Sequence, residues 1–287
     1  MEFYLGLKLY AGSNIPYYLN PNHPNYEKWK RSRENSLLRG KFVYDLIGTK
    51  IKLSNCKILD FGSGFGGTIL NFANDNNQLF SVEIDIYKLK LQFCHPLLIK
   101  INANTINLPF KEKSFDIIIL QDVIEHIENP TSIIKKLITL LKDDGLIYLS
   151  TPNKLSILNL ISDPHWSLPL ISLMSRNFIK KFIIPIFRPM EKNRTGIAQL
   201  LSLNYLIKTF QEQNLHYELN TTFAVHSLFM EPKKIAWSKF HLTLLSILKK
   251  LKLHKTIIRF SNNKPGILNN FITPTFYFIL RKNPQIN

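Results

Sequence analysis

Short apolar runs alternate with amphipathic stretches through the middle of the chain. The apolar runs predict strands at 57–61, 79–84, 98–101, 115–120 and 145–150, and helical patterns near 66–74, 87–94 and 131–141 lie between them. Strands that alternate with helices form a mostly parallel sheet with right-handed crossovers. The run 115–120 is apolar almost throughout, as in a central strand covered on both faces. The pattern therefore predicts a doubly wound α/β fold with helices on both faces.

The pattern changes on both sides of this core and divides the chain into four parts. Residues 1–54 predict a helical lead-in or cap, and residues 55–153 predict the ligand-binding core. Residues 154–201 contain four prolines among short apolar pieces, which is typical of a lid or a substrate-binding insertion. Residues 202–287 resume the alternation and include a basic helical insertion at about 231–265. Their other predicted elements are a helix at 203–213, a strand at 216–221 and a last strand within 271–281.

A glycine-rich turn after the first predicted strand is the strongest candidate site. Glycines at the carboxyl end of a strand let a ligand approach the backbone, and the next helix offers unpaired N–H groups. Two patterns fit the turn: G-x-G-x-x-G, the dinucleotide fingerprint, on Gly62, Gly64 and Gly67, and D/E-x-G-x-G-x-G on Asp60, Gly62, Gly64 and Gly66. Glu83, 21 residues after Gly62, suits the ribose hydroxyls of either ligand. The turn alone leaves both cofactors open.

Motifs beyond the turn decide between the two cofactors. Five stretches follow one another in order, at 104–110, 114–119, 122–127, 141–147 and 150–153. Together they closely resemble the succession LPF…FD…EH…LkpGG…tPN of the class I S-adenosylmethionine-dependent methyltransferases. The resemblance covers about residues 55–153 strongly, and 200–282 only through the order of strands and helices. It implies a seven-stranded Rossmann-like sheet with an antiparallel last strand, and S-adenosylmethionine as the cofactor.

The resemblance also assigns residues to the cofactor. It implies that Asp60 faces the amino group of the methionine portion and that Glu83 accepts the two ribose hydroxyls. The family's adenine-facing Asp corresponds here to Asn104 or Asn102, whose amides can both accept and donate. Asp85 is assigned to N-capping the next helix, and Gly67 to helix packing. The predicted cofactor residues are Asp60, Gly62, Ser63, Gly64, Gly66, Glu83, Ile84, Asn104, Thr105 and Gln121.

Two histidines are candidate bases for removing a proton from the methyl acceptor. His126 follows the fourth strand, and the alternative is that Glu125 and His126 only shape the pocket floor. His165 lies beside an aromatic residue in the insertion. Asp122, Glu125 and His126 are also spaced to share one face of a helical turn, and some quinone-biosynthesis O-methyltransferases bind a divalent metal with a similar set. Magnesium or zinc on these three residues is a further hypothesis, while the main prediction assigns no metal.

The chain is strongly basic, and the charge is concentrated at its C-terminal end. It has 37 basic and 20 acidic side chains, a net charge of +17. Residues 231–287 contain 11 basic side chains and one acidic side chain. A basic surface suits nucleic acid or an anionic membrane, and the alternative is a surface simply rich in Lys. The stretch 233–255, with Trp237 and Phe240 among its lysines, predicts either an interfacial amphipathic segment or a helix packed on the sheet.

Cysteine content and the length of the apolar runs indicate the compartment. Two cysteines exclude a disulfide framework and a cysteine-rich zinc site. The first residues have no basic stretch followed by an apolar core, and the apolar run 178–187 is interrupted by Lys and Pro. These features predict a cytoplasmic protein, with peripheral contact to the inner face of an anionic membrane as a hypothesis for the basic C-terminal segment.

The motifs predict methyl transfer to an O, N or C nucleophile of a small molecule, such as a sugar or a lipid-linked intermediate. RNA methylation is a weaker alternative, because segment 121–124 reads QDVI where a tetrapeptide such as NPPY follows the fourth strand in amino-methyltransferases. A non-catalytic protein that keeps the cofactor fold is the other alternative. The intact glycine turn and Glu83 argue against it.

Overall fold

The computed structural model describes residues 16–23, 26–104, 108–192, 194, 196–236 and 239–283, and within them seven strands form one sheet. The strands are β1 (Lys57–Phe61), β2 (Gln78–Glu83), β3 (Leu98–Asn102), β4 (Phe115–Gln121), β5 (Leu141–Pro152), β6 (Leu215–Leu219) and β7 (Thr275–Lys282). Their order is β3-β2-β1-β4-β5-β7-β6, with β7 antiparallel to both of its neighbours and the other pairs parallel. This topology confirms the predicted fold class.

Helices cover both faces of the sheet. The first half of the chain contains α1 (Tyr26–Gly48), α2 (Gly67–Leu70), α3 (Ile86–Lys90) and α4 (Pro130–Leu140). The insertion after β5 contains α5 (Ile157–Ile161), α6 (Arg176–Phe178), a π-helical segment (Ile179–Ile183) and α7 (Ile184–Phe187). The C-terminal part contains α8 (Leu203–Glu212), α9 (Thr221–Met230), α10 (Lys239–Lys250), α11 (Leu253–Phe260) and a π-helical turn (Leu268–Ile272). Within the described residues, the helices are too short or too polar to span a bilayer.

The central strand β4 shows how the two faces are filled. Ile118 and Leu120 belong to a cluster that includes side chains of α4 and α8, whereas Ile117 and Ile119 belong to a cluster with side chains of α1. All four side chains are fully buried. Because alternate residues of a strand point to opposite faces, both faces of β4 need apolar side chains. This requirement is why a continuous apolar run located the strand correctly.

The predicted elements differ from the observed ones mainly at their ends. β5 begins at Leu141 rather than near residue 145, because Leu141 pairs with Phe115 ahead of an irregularity in the ladder. α2 and α3 have only four and five residues and end earlier than predicted. The sequence pattern does not predict α9, because its apolar side chains are spread around the helix rather than in one stripe.

The basic stretch 233–255 forms two helices rather than one. Lys252 has a φ of 59°, a left-handed conformation that ends the first helix and precedes α11. Leu248 packs inward in a small cluster with Phe229, whereas Leu244 and Leu251 are exposed, so the predicted apolar side of α10 is divided between two surfaces. Two predicted members of that side have no described side chains, Trp237 and Phe240.

α1 packs closely on α2, the short helix after the glycine turn, through two glycines. A Cβ on Gly40 would lie 2.5 Å from the Cα of Thr68 and 2.9 Å from the carbonyl oxygen of Gly67. A Cβ on Gly67 would lie 2.7 Å from the backbone nitrogen of Leu37. Both positions exclude a larger residue unless the backbone shifts. The contact fixes α1 beside the glycine turn and agrees with the predicted packing role of Gly67.

The insertion has a small core of its own and is joined to the last strand. Trp166, Ile171 and Ile183 are buried in that core. Asn153, just after β5, donates from Nδ2 to three carbonyl oxygens at the end of the π-helical turn before β7, at distances of 2.8 to 3.2 Å. The amide therefore holds the start of the insertion against the segment that enters the sheet last.

Gly40→Ala is expected to destabilise the protein by about 1–3 kcal/mol, because the added methyl group overpacks two backbone segments. Gly266→Ala is the matched control, since a Cβ there meets no described atom within 4 Å. Urea unfolding of both variants measures the difference. If Gly40→Ala were as stable as the control, the close approach of α1 and α2 would be wrong.

Candidate functional site

The glycine turn leaves β1 and bends over the end of β2. The N–H groups of Gly62 and Ser63 donate to the carbonyl oxygen of Val82 at 2.8 and 3.0 Å. Gly62 and Gly64 have φ of 72° and 53°, the left-handed region that favours glycine. A Cβ on Gly62 would lie 2.6 Å from the side chain of Val123, whereas a Cβ on Gly64 would meet no described atom within 4 Å. The turn is closed at Gly62 and open at Gly64, where a ligand can reach the backbone.

Glu83, the last residue of β2, is buried against this turn with its carboxylate held in place. Oε2 accepts from the N–H of Gly64 at 2.8 Å, and Oε1 accepts from the N–H of Asp85 at 2.9 Å. Each oxygen has a second lone pair for another donor. The carboxylate is thus fixed in orientation and still able to accept hydroxyl groups from a ligand beside Gly64.

Gln92 supports the turn, although no motif identifies it. Its Nε2 donates to Oγ of Ser63 at 2.8 Å and to the carbonyl oxygen of Gly64 at 2.9 Å, while its Oε1 accepts from Oγ of Ser81 at 2.8 Å. The side chain is almost fully buried. One amide therefore links three polar groups of the turn and of β2. In the sequence, the only indication of this role is a single Gln two residues after a short helix.

Asp60, near the end of β1, has an unusual electrostatic environment. The residue is buried, and no described group donates to its Oδ2. Burial, together with repulsion from Glu83, raises the pKa of Asp60 to about 7. A buried carboxylate oxygen without a partner is costly unless a cation reaches it. The environment of Asp60 therefore favours a ligand with a positively charged group.

The glycine turn, Asp60 and Glu83 line one cavity of about 700 Å³. It lies at the carboxyl ends of β1, β2 and β4, where open α/β sheets bind their ligands. Its volume is within the range of ordinary small-molecule sites. Most of the residues that the sequence assigns to the cofactor line it: Asp60, Gly62, Ser63, Gly64, Glu83, Ile84 and Gln121.

The other predicted cofactor residues lie elsewhere. Gly66 does not line the cavity, and a Cβ there would lie 3.2 Å from the Gln92 side chain. Asn104 is exposed after β3 and does not line the cavity, while Asn102 donates from Nδ2 to the carbonyl oxygens of Glu83 and Ile84 at 2.8 and 3.0 Å. Thr105 lies outside the described residues. Contact of Gly66, Asn104 and Thr105 with the cofactor stays a prediction, as does the assignment of Asn104 or Asn102 to adenine.

His126, the first candidate base, lines the same cavity. Its Nδ1 lies 2.7 Å from the carbonyl oxygen of Gly196, which can only accept, so Nδ1 bears the hydrogen and Nε2 is the acceptor of the neutral ring. Burial lowers the pKa of His126 to about 4, and the cations Arg194 and Lys88 act in the same direction. The ring is therefore neutral at physiological pH.

His165, the second candidate base, lies behind His126 rather than at the cavity wall. The two ring centroids are 5.0 Å apart in an edge-to-face arrangement, and Nε2 of His165 lies 3.8 Å from Oε1 of Glu125. Glu125 is fully buried and accepts from Oγ1 of Thr151 at 2.9 Å. Burial and the nearby Asp122 raise the pKa of Glu125 to about 8. Burial thus favours the uncharged form of this carboxyl group.

The three residues of the metal hypothesis do not share a helical face. Asp122 has a φ of 53°, and the short 3₁₀ turn that contains Glu125 and His126 begins only at Ile124. The Asp122 carboxylate is instead bound by Arg39 of α1. A different set comes together, Glu125, His126 and His165, whose potential ligand atoms lie within 4.8 Å of one another. A metal role for the predicted set stays a prediction.

Segments from both ends of the core cover the cavity, and sequence reasoning did not identify these contacts. Oη of Tyr18 donates to Oδ2 of Asp85 at 2.5 Å. His23, from the N-terminal segment, and Glu191, from the insertion, form a buried contact of 3.5 Å between Nε2 and Oε1. Tyr18 and Arg194 both line the cavity, so the N-terminal segment and the insertion meet across it.

The polar groups of the cavity fit S-adenosylmethionine. Its ammonium group matches the unpaired oxygen of Asp60, and its ribose diol matches the fixed carboxylate of Glu83. The open space at Gly64 admits a ligand where a Cβ would otherwise project. The fold and this set of groups together define a Rossmann-like methyltransferase.

Comparison with known proteins agrees with this class. A family model for a methyltransferase domain matches residues 28–219, about two thirds of the chain. The chain therefore belongs to this methyltransferase family, and its fold is the Rossmann-like one of class I methyltransferases. Among solved structures, the plantazolicin methyltransferase BpumL in complex with a desmethyl analogue and SAH has a TM-score of 0.55 at 15% identity, covering 98% of this chain and 96% of that one. At that identity the likeness concerns the fold.

Two curated relatives are ubiquinone biosynthesis O-methyltransferases. The enzyme of Xanthomonas euvesicatoria pv. vesicatoria is 26% identical over 116 residues, 38% of this chain and 48% of that enzyme. The enzyme of Neisseria meningitidis is 26% identical over 172 residues, 55% of this chain and 71% of that enzyme. The chain spans about half the length of the first curated relatives that it matches.

Asp60→Asn is expected to stabilise the cofactor-free protein at pH 8 and to weaken cofactor binding. The raised pKa means that the folded state favours the protonated form, so stability is full below the unfolded pKa of 3.8 and is lost as the pH rises through about 7. Asn carries no charge, so the variant should exceed wild type in free energy of unfolding by about 1–3 kcal/mol at pH 8. Near pH 4 the two proteins should be equally stable.

Urea unfolding at both pH values and calorimetric titration with S-adenosylmethionine measure the two effects. Asp144→Asn, at an exposed position outside the cavity, is the control. If the Asp60→Asn variant were less stable than wild type at pH 8, the assigned ionisation would be contradicted.

Proposed function

We propose that this enzyme transfers a methyl group from S-adenosylmethionine to a hydroxyl oxygen of a small, partly apolar molecule, such as a lipid-linked intermediate. The observation that supports it most is the neutral His126, which lines the same cavity as Asp60 and Glu83. The names of the Xanthomonas and Neisseria relatives, as O-methyltransferases, favour oxygen over nitrogen or carbon as the acceptor atom.

The residues of the glycine turn would hold the cofactor. Asp60 would accept the ammonium group, Glu83 the ribose hydroxyls, and the open backbone at Gly64 would admit the ligand. The cofactor, when bound, supplies an electrophilic methyl carbon on a sulfonium, so the protein needs to align the nucleophile more than to activate it.

His126 then orients the acceptor and takes its proton. With a pKa of about 4, the ring is too weak a base to remove a proton from a resting hydroxyl group. It can accept the hydrogen bond at Nε2 and so direct an oxygen lone pair toward the methyl carbon. Once the new C–O bond forms, the oxygen becomes strongly acidic, and its proton passes to Nε2 and then to water.

The insertion supports an apolar acceptor. Its helical segment exposes Phe178, Phe182, Ile186 and Phe187, and its C-terminal end supplies Arg194 and Gly196 to the cavity wall. Exposed apolar side chains on a segment whose end contributes to the cavity wall favour an acceptor with an apolar portion.

Nucleic acid is a weaker candidate acceptor. The two arginines of the cavity wall are engaged by carboxylates, Arg39 by Asp122 and Arg194 by Glu191. Cations held in this way are poorly placed to neutralise phosphates, which is the main requirement for binding a nucleic-acid backbone.

Glu83→Gln is expected to weaken S-adenosylmethionine binding by about 10- to 100-fold, because hydrogen bonds to a charged group contribute about 1.5–3 kcal/mol each. Glu112→Gln, at an exposed position outside the cavity, is the control. Calorimetric titration measures binding, and transfer of a labelled methyl group to phenols, catechols, amines and RNA measures the acceptor class. No binding by the wild-type chain would sink the enzyme proposal, and labelling of RNA or amines alone would overturn the choice of acceptor.

His126→Phe is expected to lower kcat on the order of 100-fold with S-adenosylmethionine affinity unchanged within about twofold. The rate of wild type should not fall between pH 8 and pH 5.5 through protonation of His126, because its pKa is lowered to about 4. His216→Phe, at an exposed position on β6, is the control. Unchanged turnover in His126→Phe, or an equal loss of cofactor affinity, would leave His126 with only a packing role.

A further inference from the structure

Helices α10 and α11 form a pair that, among the described residues, packs against the domain on one side. Leu245 is buried in a small cluster with Phe229 of α9, and Leu242, Leu248 and Ile258 pack against it. The two helices follow each other directly through Lys252. Their inner side is thus accounted for by packing within the chain.

The outer side of this pair is apolar as well. On α10, on the turn after it and on α11, the exposed apolar side chains recur mostly at intervals of three or four residues, which places them in one stripe on each helix. Between 38% and 69% of each is exposed: Leu244, Ile247, Leu251, Leu253, Ile257 and Phe260. Monomeric proteins rarely expose apolar side chains in such a group without a binding role.

The charges around this stripe are of one sign. Residues 232–287 contain 11 basic side chains and no acidic one. On the two helices the cations Lys249, Lys250, Lys252, Lys255 and Arg259 are all exposed. Lys234, from the same basic stretch, is not part of this surface, because it is buried with Asp45 and Glu231 at 2.6 Å from each. The partner of this surface must therefore be both apolar and anionic.

We propose that α10 and α11 bind the surface of an anionic lipid bilayer, with the apolar stripe below the headgroups and the lysines at the lipid phosphates. A bilayer offers both chemistries at once. Nucleic acid has no counterpart for six exposed apolar side chains, and a second copy of this chain would bring two sets of cations together. The surface is separate from the cavity residues, so the proposal goes beyond methyl transfer and does not depend on it.

Vesicle flotation of the full chain tests the proposal. The chain should float with vesicles of phosphatidylcholine and phosphatidylglycerol, and much less with phosphatidylcholine alone. Lys249→Gln, Lys250→Gln and Lys255→Gln in one variant should weaken binding on the order of 100-fold, because each basic side chain near an anionic surface contributes about a factor of five. The double variant Leu251→Ser, Phe260→Ser should also bind vesicles more weakly. At raised salt, a smaller fraction of this double variant than of the lysine variant should float.

A matched control separates this surface from the general positive charge of the chain. Lys52→Gln, Lys111→Gln and Lys135→Gln remove the same charge at exposed positions elsewhere and should change binding by less than about threefold. Equal losses in the two lysine variants, equal binding to neutral vesicles, or concentration-dependent dimers that do not float would each overturn the proposal. S-adenosylmethionine titration of every variant reports on folding and on the cofactor site, so failure of the proposed function is recognised separately.

Discussion

Two carboxylates buried at the carboxyl ends of adjacent strands impose the main constraint on this structure. Glu83 needs N–H donors, and the glycine turn supplies the one on Gly64. Asp60 needs a cation that the described residues do not provide. A positively charged ligand would offset the free-energy cost of burying its carboxylate. The turn, its support by Gln92 and the docking of α1 through Gly40 all serve to hold these two groups in place.

Features of the fold and the site that depend on residues close together in the chain could be predicted from the sequence. The strand β4 is identifiable because both of its faces are covered, and the glycine turn because only glycine tolerates its backbone angles and close contacts. Glu83 follows from the length of one strand–helix–strand unit. The predicted N-cap role of Asp85 also depends only on neighbouring residues. The structure confirms it, because the Asp85 side chain accepts from the N–H of Tyr87 at 2.9 Å at the start of α3.

Features that depend on tertiary contacts could not be predicted. Arg39 meets Asp122 across 83 positions of the chain, and no periodic pattern reports such a pairing. The predicted metal set assumed a regular helix after β4, but the left-handed Asp122 and a 3₁₀ turn redirect the side chains and bring in His165 from the insertion. The helix break at Lys252 likewise has no signal in the sequence, because lysine does not favour positive φ.

The buried contact between His23 and Glu191 has a kinetic consequence. It joins the N-terminal segment to the insertion, and both side chains are almost inaccessible to water. Burial lowers the pKa of His23, although the neighbouring Glu191 acts in the opposite direction. Separation of the two segments would therefore move backbone as well as side chains, a motion slower than side-chain rotation.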